Sequence, residues 1–263
     1  MIPKVIHYCW FGRNPLPESA VKCIESWRKF MPDYEIREWN EDNFDVNAIP
    51  YTAEAYQQRK FAFVSDYARF WILYRYGGVY FDTDVELIKP IDDIVEKGAF
   101  MGIEVVCKVV PEDLVGYPMI APGLGIGVEA GHPFYKKLID YYLGIHFQLQ
   151  DGNAGYMDTI VVHTTRLFIK DGLQKGGAMQ QIAGITLYPE DYFNPLDDLT
   201  GRVRKTENTR SIHWYARTWQ ESHPIRQWLS RMSHRLFGLY LFKLKMKLRG
   251  LISGQSRHRM LLL

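Results

Sequence analysis

Residues 62–78 read "AFVSDYARFWILYRYGG", and "VYF" and "DTDVEL" follow without a spare residue. Phe63, Tyr67, Phe70 or Trp71, and Tyr74 recur at helical spacing. Gly77 and Gly78 stop that helix, because glycine tolerates the left-handed backbone of a helix end. "VYF" then predicts a strand, with Asp82 and Asp84 at its carboxyl end. A helix feeding directly into a short apolar strand is half of a layered α/β unit. In open α/β sheets ligands bind at the carboxyl ends of strands, so the two acids stand where a site is expected.

The N-terminal third supports that architecture. "KVIHYC" reads as a short buried strand and "FGRNPLP" as a loop. "ESAVKCIESWRKF" carries Val21, Ile24, Trp27 and Phe30 at helical spacing, and "YEIREW" alternates like a strand. Strand, helix and strand with short links predict a mostly parallel sheet flanked by helices. Downstream, "GAFMGIEV" reads as a strand, "PGLGIGVEAG" as a glycine-rich strand and turn, and "ITLYP" as a late strand. Helices are predicted over 133–144 and 158–171, and residues 200–219 read as loop-rich. There is no internal repeat. The chain divides into a domain over 1–220 and a tail over 221–263.

With 263 residues the chain has ample length for a buried core. No run of 18 apolar residues suggests a membrane span, and no secretory signal is read at the N-terminus. Cys9, Cys23 and Cys107 show no CxxC spacing and read as reduced cytosolic thiols. After Glu221 there is no acidic residue but nine Lys or Arg, which leaves 23 bases against 30 acids in the body. The tail "IRQWLSRMSHRLFGLYLFKLKMKLRGLI" alternates these bases with Leu, Phe and Met. It reads as a basic amphipathic helix suited to an anionic membrane surface, with packing on the body or a dimer contact as alternatives. No nucleic-acid motif is present, so nucleic acid is not expected as a partner.

Read alone, D-T-D fits a solvated turn or a divalent-metal site. Paired carboxylates off a strand end suit Mn²⁺ or Mg²⁺, whose remaining ligand positions take diphosphate oxygens. A glycosidase acid/base pair is excluded, since such carboxylates must flank a scissile bond from about 5–9 Å apart. The block "FVSDYARFWILYRYGGVYFDTDVEL" closely resembles the core of glycosyltransferase family 32, the DxD sugar transferases. "IPKVIHYCWFG", "ITLYPEDYFNP" and "HWYARTW" extend the resemblance from residue 2 to about 219. It implies a GT-A (Rossmann-like) fold, a nucleotide-sugar donor, Mn²⁺ or Mg²⁺, and retention of anomeric configuration.

The resemblance also implies roles. Asp84 is the direct metal ligand, and Asp82 reaches the ribose and the metal's water shell. Asp66 hydrogen-bonds donor-sugar hydroxyls, and Arg69 bridges sugar and diphosphate; a surface i,i+3 ion pair is the alternative. Ser65 contacts the ribose, and Tyr80 contacts the nucleotide or is a core aromatic. Trp10 lies against the nucleobase or in the core. His7 flanks the same strand end, as a donor-site residue or a packed histidine. In the C-terminal motif His213 is a further metal ligand and Trp219 closes over the donor, although Thr218 stands where some relatives carry serine. Glu129, Asp158 and His163 fall in the region expected to shape the acceptor side, without assigned roles.

The function implied is transfer of a hexose, galactose or glucose, from a UDP-hexose to a saccharide acceptor. The basic tail adds a lipid-linked acceptor of the capsule or O-antigen kind and a cytoplasmic, peripheral location on the inner membrane face. The alternatives are a GDP-mannose-dependent mannosyltransferase and a catalytically silent sugar-nucleotide or lipid-surface binding protein on the same fold.

Overall fold

The computed structural model describes residues 1–104, 110–147, 159–198, 200–216 and 232. In chain order the first half comprises β1 (Val5–Cys9), α1 (Glu18–Phe30), β2 (Glu35–Trp39), α2 (Pro50–Gln57), α3 (Phe61–Tyr76), β3 (Gly78–Tyr80), β4 (Val85–Leu87), α4 (Asp92–Val95) and β5 (Phe100–Glu104). The second half comprises β6 (Met119–Ile120), β7 (Ile126–Val128), α5 (Pro133–Leu143), α6 (Ile160–Lys170), β8 (Gln180–Ile182), β9 (Ile185–Tyr188), α7 (Glu190–Phe193), β10 (Leu196–Asp197), β11 (Arg202–Val203) and β12 (Ser211–His213).

Eight strands form one sheet in the order β2-β1-β3-β7-β5-β9-β8, with β6 beside β5. β2, β1 and β3 are parallel, as are β5 and β9, while β7 is antiparallel to both β3 and β5. Five of the eight strands therefore point one way, and the mostly parallel sheet flanked by helices is present. Two small antiparallel pairs, β10-β11 and β12-β4, stand outside it.

Side-chain alternation divides the core in two. Ile6 and Tyr8 of β1, with Val79 and Phe81, enter the core beneath α1, together with Trp27 and Met31. Cys9 and Tyr80 point the other way, into the core built on α3 and α5. Residues of the same parity as Tyr80 face α3, and Asp82 is one of them.

α3 does not have one apolar face. Every residue from Phe63 to Phe70 is buried, as are Ile72 and Leu73. A helix covered on all sides must bury its polar residues too, and so Ser65, Asp66 and Arg69 lie inside the protein. Gly77 ends the helix at φ 65° and Gly78 continues at φ 103°, as the paired glycines predict.

Some local expectations are corrected. α1 turns Ala20, Cys23, Ile24 and Trp27 inward, so Val21 is exposed. α2 was not legible as a separate helix. The loop-rich segment near residue 200 contains β12, which pairs with β4. Cys9 and Cys23 are buried free thiols. Cys107, Asp158, Thr218, Trp219 and, apart from Met232, the basic tail lie outside the described residues. No helix among the described residues is long and apolar enough to cross a membrane.

Candidate active site

Asp66 and Arg69 are three residues apart on α3, and their side chains are 9% and 4% exposed. Burial excludes the surface ion pair. Arg69 Nη2 donates to Asp66 Oδ1 at 3.0 Å, and Nε donates to the Ser65 carbonyl at 3.0 Å. Its remaining arm, Nη1, lies 3.1 Å from Asp82 Oδ1. The planar guanidinium thus spans helix and strand end, which a point charge could not do. The Tyr80 hydroxyl donates to Asp82 Oδ1 at 3.1 Å, and the Arg69 guanidinium stands 4.8 Å from the Tyr80 ring centre. Tyr80 is therefore a buried core aromatic whose hydroxyl serves the site.

Burial pushes the Asp66 carboxyl up to about 7; the Arg69 charge pulls against that, and Asp82 reinforces it. Burial also works against the charge of Arg69, but Asp82, Tyr80 and Asp66 outweigh it and hold the guanidinium above its ordinary value. The group is thus a locked cation between two acids, one of which is poised near neutrality.

Asp84 meets His213. Nε2 of His213 is 3.1 Å from Asp84 Oδ1, and the Ala216 N–H donates to Asp84 Oδ2 at 2.8 Å. Burial opposes the charge of Asp84, yet His213 and the Ala216 amide hold its carboxyl below the usual range. For His213 burial acts downward, but Asp84 and then Asp82 hold it above its ordinary value. One ligand atom from each of Asp82, Asp84 and His213 lies within 4.8 Å of the others. His213 Nδ1 is buried with no hydrogen-bond partner among the described residues. Two carboxylates and an imidazole with one unpartnered nitrogen form a donor set that fits a divalent cation.

The remaining expected residues divide. Ser65 is buried, and its hydroxyl donates back to the Phe61 carbonyl at 3.3 Å. Trp10 is half-buried at the end of β1, its indole N–H donating to the Asn14 carbonyl at 2.6 Å. His7 lies in the core, which matches the packed-histidine alternative. It is 0% exposed, its Nδ1 accepts from the Trp39 indole at 3.0 Å, and its Nε2–H donates to the Gly77 carbonyl at 3.0 Å. Burial lowers its pKa to about 4, so it is a neutral core histidine. Glu129 is exposed and pairs with the Met1 amine at 3.0 Å. His163 is buried, with Nδ1 2.6 Å from the Tyr141 hydroxyl.

Sequence reasoning missed three neighbours of the site. Cys9 borders Arg69, Tyr80, Ser65 and Asp82, and burial pushes its thiol up to about 12. Gly123, whose carbonyl accepts from the Asp82 N–H at 3.1 Å, leaves no room for a Cβ, which would overlap Asp82 Oδ2. Tyr215, two residues beyond His213, packs on the imidazole. "PGLGIG" carried a signal in its density of glycine, and Cys9 and Tyr215 lie within segments that carry the resemblance without standing out in them.

Residues 17–101 match the family described as glycosyltransferase sugar-binding region containing DXD motif, and Asp82-Thr83-Asp84 supplies that motif. This stretch is thus similar to the sugar-binding region of DXD glycosyltransferases. The sugar-binding region takes in α1, α3, β3 and β4, the elements that position Asp66, Arg69, Asp82 and Asp84. The chain is 29% identical over 142 residues to inositol phosphoceramide mannosyltransferase 3 of Schizosaccharomyces pombe, covering 52% of this chain and 36% of that protein. It thus spans about a third of the length of that relative. It is 27% identical over 201 residues to the uncharacterized glycosyltransferase L373 of Acanthamoeba polyphaga mimivirus, covering 74% of each. Among solved structures, the PaToxG glycosyltransferase aligns with 65% of this chain and 70% of its own, at 20% identity and a TM-score of 0.47.

Proposed function

We propose that this chain is a divalent-metal-dependent, retaining glycosyltransferase that moves a hexose from a nucleotide-diphosphate sugar to a saccharide acceptor. The observation that carries this reading is the convergence of Asp82, Asp84 and His213 within 4.8 Å, with Arg69 3.1 Å from Asp82. Asp84, Asp82 and His213 hold Mn²⁺ or Mg²⁺. When bound, the cation supplies positive charge to the diphosphate as it leaves. Arg69, locked by Asp66 and Asp82, presents its charge to the same leaving group. Asp66 receives the donor-sugar hydroxyls; Ser65, Trp10 and Trp219 serve the nucleoside, and the buried Tyr80 supports Asp82 through its hydroxyl. The acceptor hydroxyl attacks the face from which the diphosphate departs, and a donor phosphate oxygen takes its proton. No side chain need then act as a strong base.

A UDP-hexose is the donor expected from the resemblance. The fission-yeast relative is by name a mannosyltransferase of inositol phosphoceramide, which supports GDP-mannose as the alternative donor and a lipid-linked acceptor. The basic tail supports an acceptor at an anionic membrane face, and on that reading the enzyme is peripheral on its cytoplasmic side.

Hydrolysis of UDP-galactose, UDP-glucose and GDP-mannose, with and without Mn²⁺, tests the proposal. One donor is expected to turn over only with metal. Asp84→Asn is expected to reduce that turnover about 100-fold or more with an unchanged circular dichroism spectrum. Turnover of none of them, or equal turnover by Asp84→Asn, would favour a silent binding protein.

A further inference from the structure

Asn194 directly follows α7 and is 0% exposed. Its Nδ2 donates to the Tyr215 hydroxyl at 2.7 Å, while its Oδ1 has no partner among the described residues. A buried amide with one half unsatisfied calls for an explanation, and the contact it does make supplies one. The Tyr215 ring in turn meets the His213 imidazole edge-on, with ring centres 4.3 Å apart.

The backbone agrees. Tyr215 has φ 51°, a left-handed conformation disfavoured for a bulky residue and found mainly where the surroundings enforce it. That turn brings the Ala216 N–H to Asp84 Oδ2 at 2.8 Å. The chain before His213 is fastened to the same place. The Arg210 N–H donates to the Tyr192 carbonyl at 2.7 Å, and the Ser211 hydroxyl donates to the Phe193 carbonyl at 3.3 Å. His213 therefore lies between two anchors, both set on residues 192–194.

We infer that Asn194 and Tyr215 are positioning residues that hold the His213 imidazole in orientation for a divalent cation shared with Asp82 and Asp84. The inference rests on the metal-dependent reading above. The Nε2 of His213 is held 3.1 Å from Asp84 Oδ1, while its Nδ1 makes no hydrogen bond among the described residues, so the packed Tyr215 ring is the further restraint on the imidazole that the tether to Asn194 fixes. Residues that orient a metal-bound histidine typically matter by 10–100-fold in metal affinity.

The test is Mn²⁺ affinity of the full chain without donor, followed by electron paramagnetic resonance, beside thermal melts of the metal-free protein. Tyr215→Phe removes the tether and keeps the ring. Tyr215→Gly removes both and relieves the left-handed backbone. Weaker Mn²⁺ binding is expected for both, by about 10-fold for the glycine variant and less for phenylalanine. Unchanged affinity in both variants, with a lower melting temperature, would make the tether purely structural and overturn the inference alone. Equal Mn²⁺ binding by wild type and Asp84→Asn would overturn the metal reading, and this inference with it.

Discussion

Arg69 Nη1 stands 3.1 Å from Asp82 Oδ1, while Nη2 of the same guanidinium holds Asp66 Oδ1 at 3.0 Å. One planar cation thus couples the helix that builds the core to the strand end that carries the paired acids. Lysine reaches only one of them. Arg69→Lys is expected to fold and to lose about 100-fold in metal-dependent donor hydrolysis, read as kcat/KM. Arg69→Met leaves Asp66 without its buried partner, and breaking such a pair costs about 3–5 kcal/mol. Without the Arg69 charge, which pulls the Asp66 carboxyl down, that carboxyl titrates higher still, so the loss is expected to be greater at pH 8 than at pH 5, where Asp66 is protonated in both proteins. Denaturant melts at pH 8 and pH 5 measure the difference.

Gly123 is the second handle on Asp82. A Cβ there would overlap Asp82 Oδ2 and stand 3.3 Å from Arg69 Nη1. Gly123→Ala is expected to displace the Asp82 carboxylate and lower donor hydrolysis about 10- to 100-fold. The melting temperature is expected to move by only a few degrees, since the crowded atoms are at the site and not in the core. Full activity in this variant would show that Asp82 needs no fixed position.

His7 gives a pH signature separate from catalysis. Its folded pKa, lowered to about 4 by burial, lies below the ordinary 6.5. The unfolded chain therefore binds more protons between these values. The stability that neutral His7 contributes is present above pH 6.5 and is lost as pH falls toward 4. Glutamine can accept from the Trp39 indole and donate to the Gly77 carbonyl. His7→Gln is expected to flatten this limb in thermal melts from pH 4 to 7 while donor turnover persists. A turnover loss as large as that of Asp84→Asn would return His7 to the site.

The nine basic residues after Glu221 give a fourth outcome. Truncation after residue 221 is expected to abolish co-sedimentation with anionic liposomes and to leave hydrolysis of free donor intact. Liposome binding that survives the cut would remove the interfacial helix from the proposal.

The alternation of "VYFDTD" and the helix-glycine-strand order already put Asp82 and Asp84 at a sheet's carboxyl edge, because period-2 and period-3.6 patterns are local properties. The i,i+3 spacing of Asp66 and Arg69 likewise set them on one helix face. That α3 is buried on every side was not legible. Burial depends on α2 and α5 covering it from outside, and it changes a surface pair into a locked cation.

The sequence by itself determined the mixed α/β order, the strand that ends in two acids, and the charge division between body and tail. Tertiary structure alone decided that His7 is a core residue and that Gly123 makes space for Asp82. It alone decided that β12 crosses to β4 and delivers His213 to Asp84, about 130 residues away in the chain. Contacts at that separation leave no periodic trace in sequence, because packing in three dimensions and not local spacing brings the two segments together.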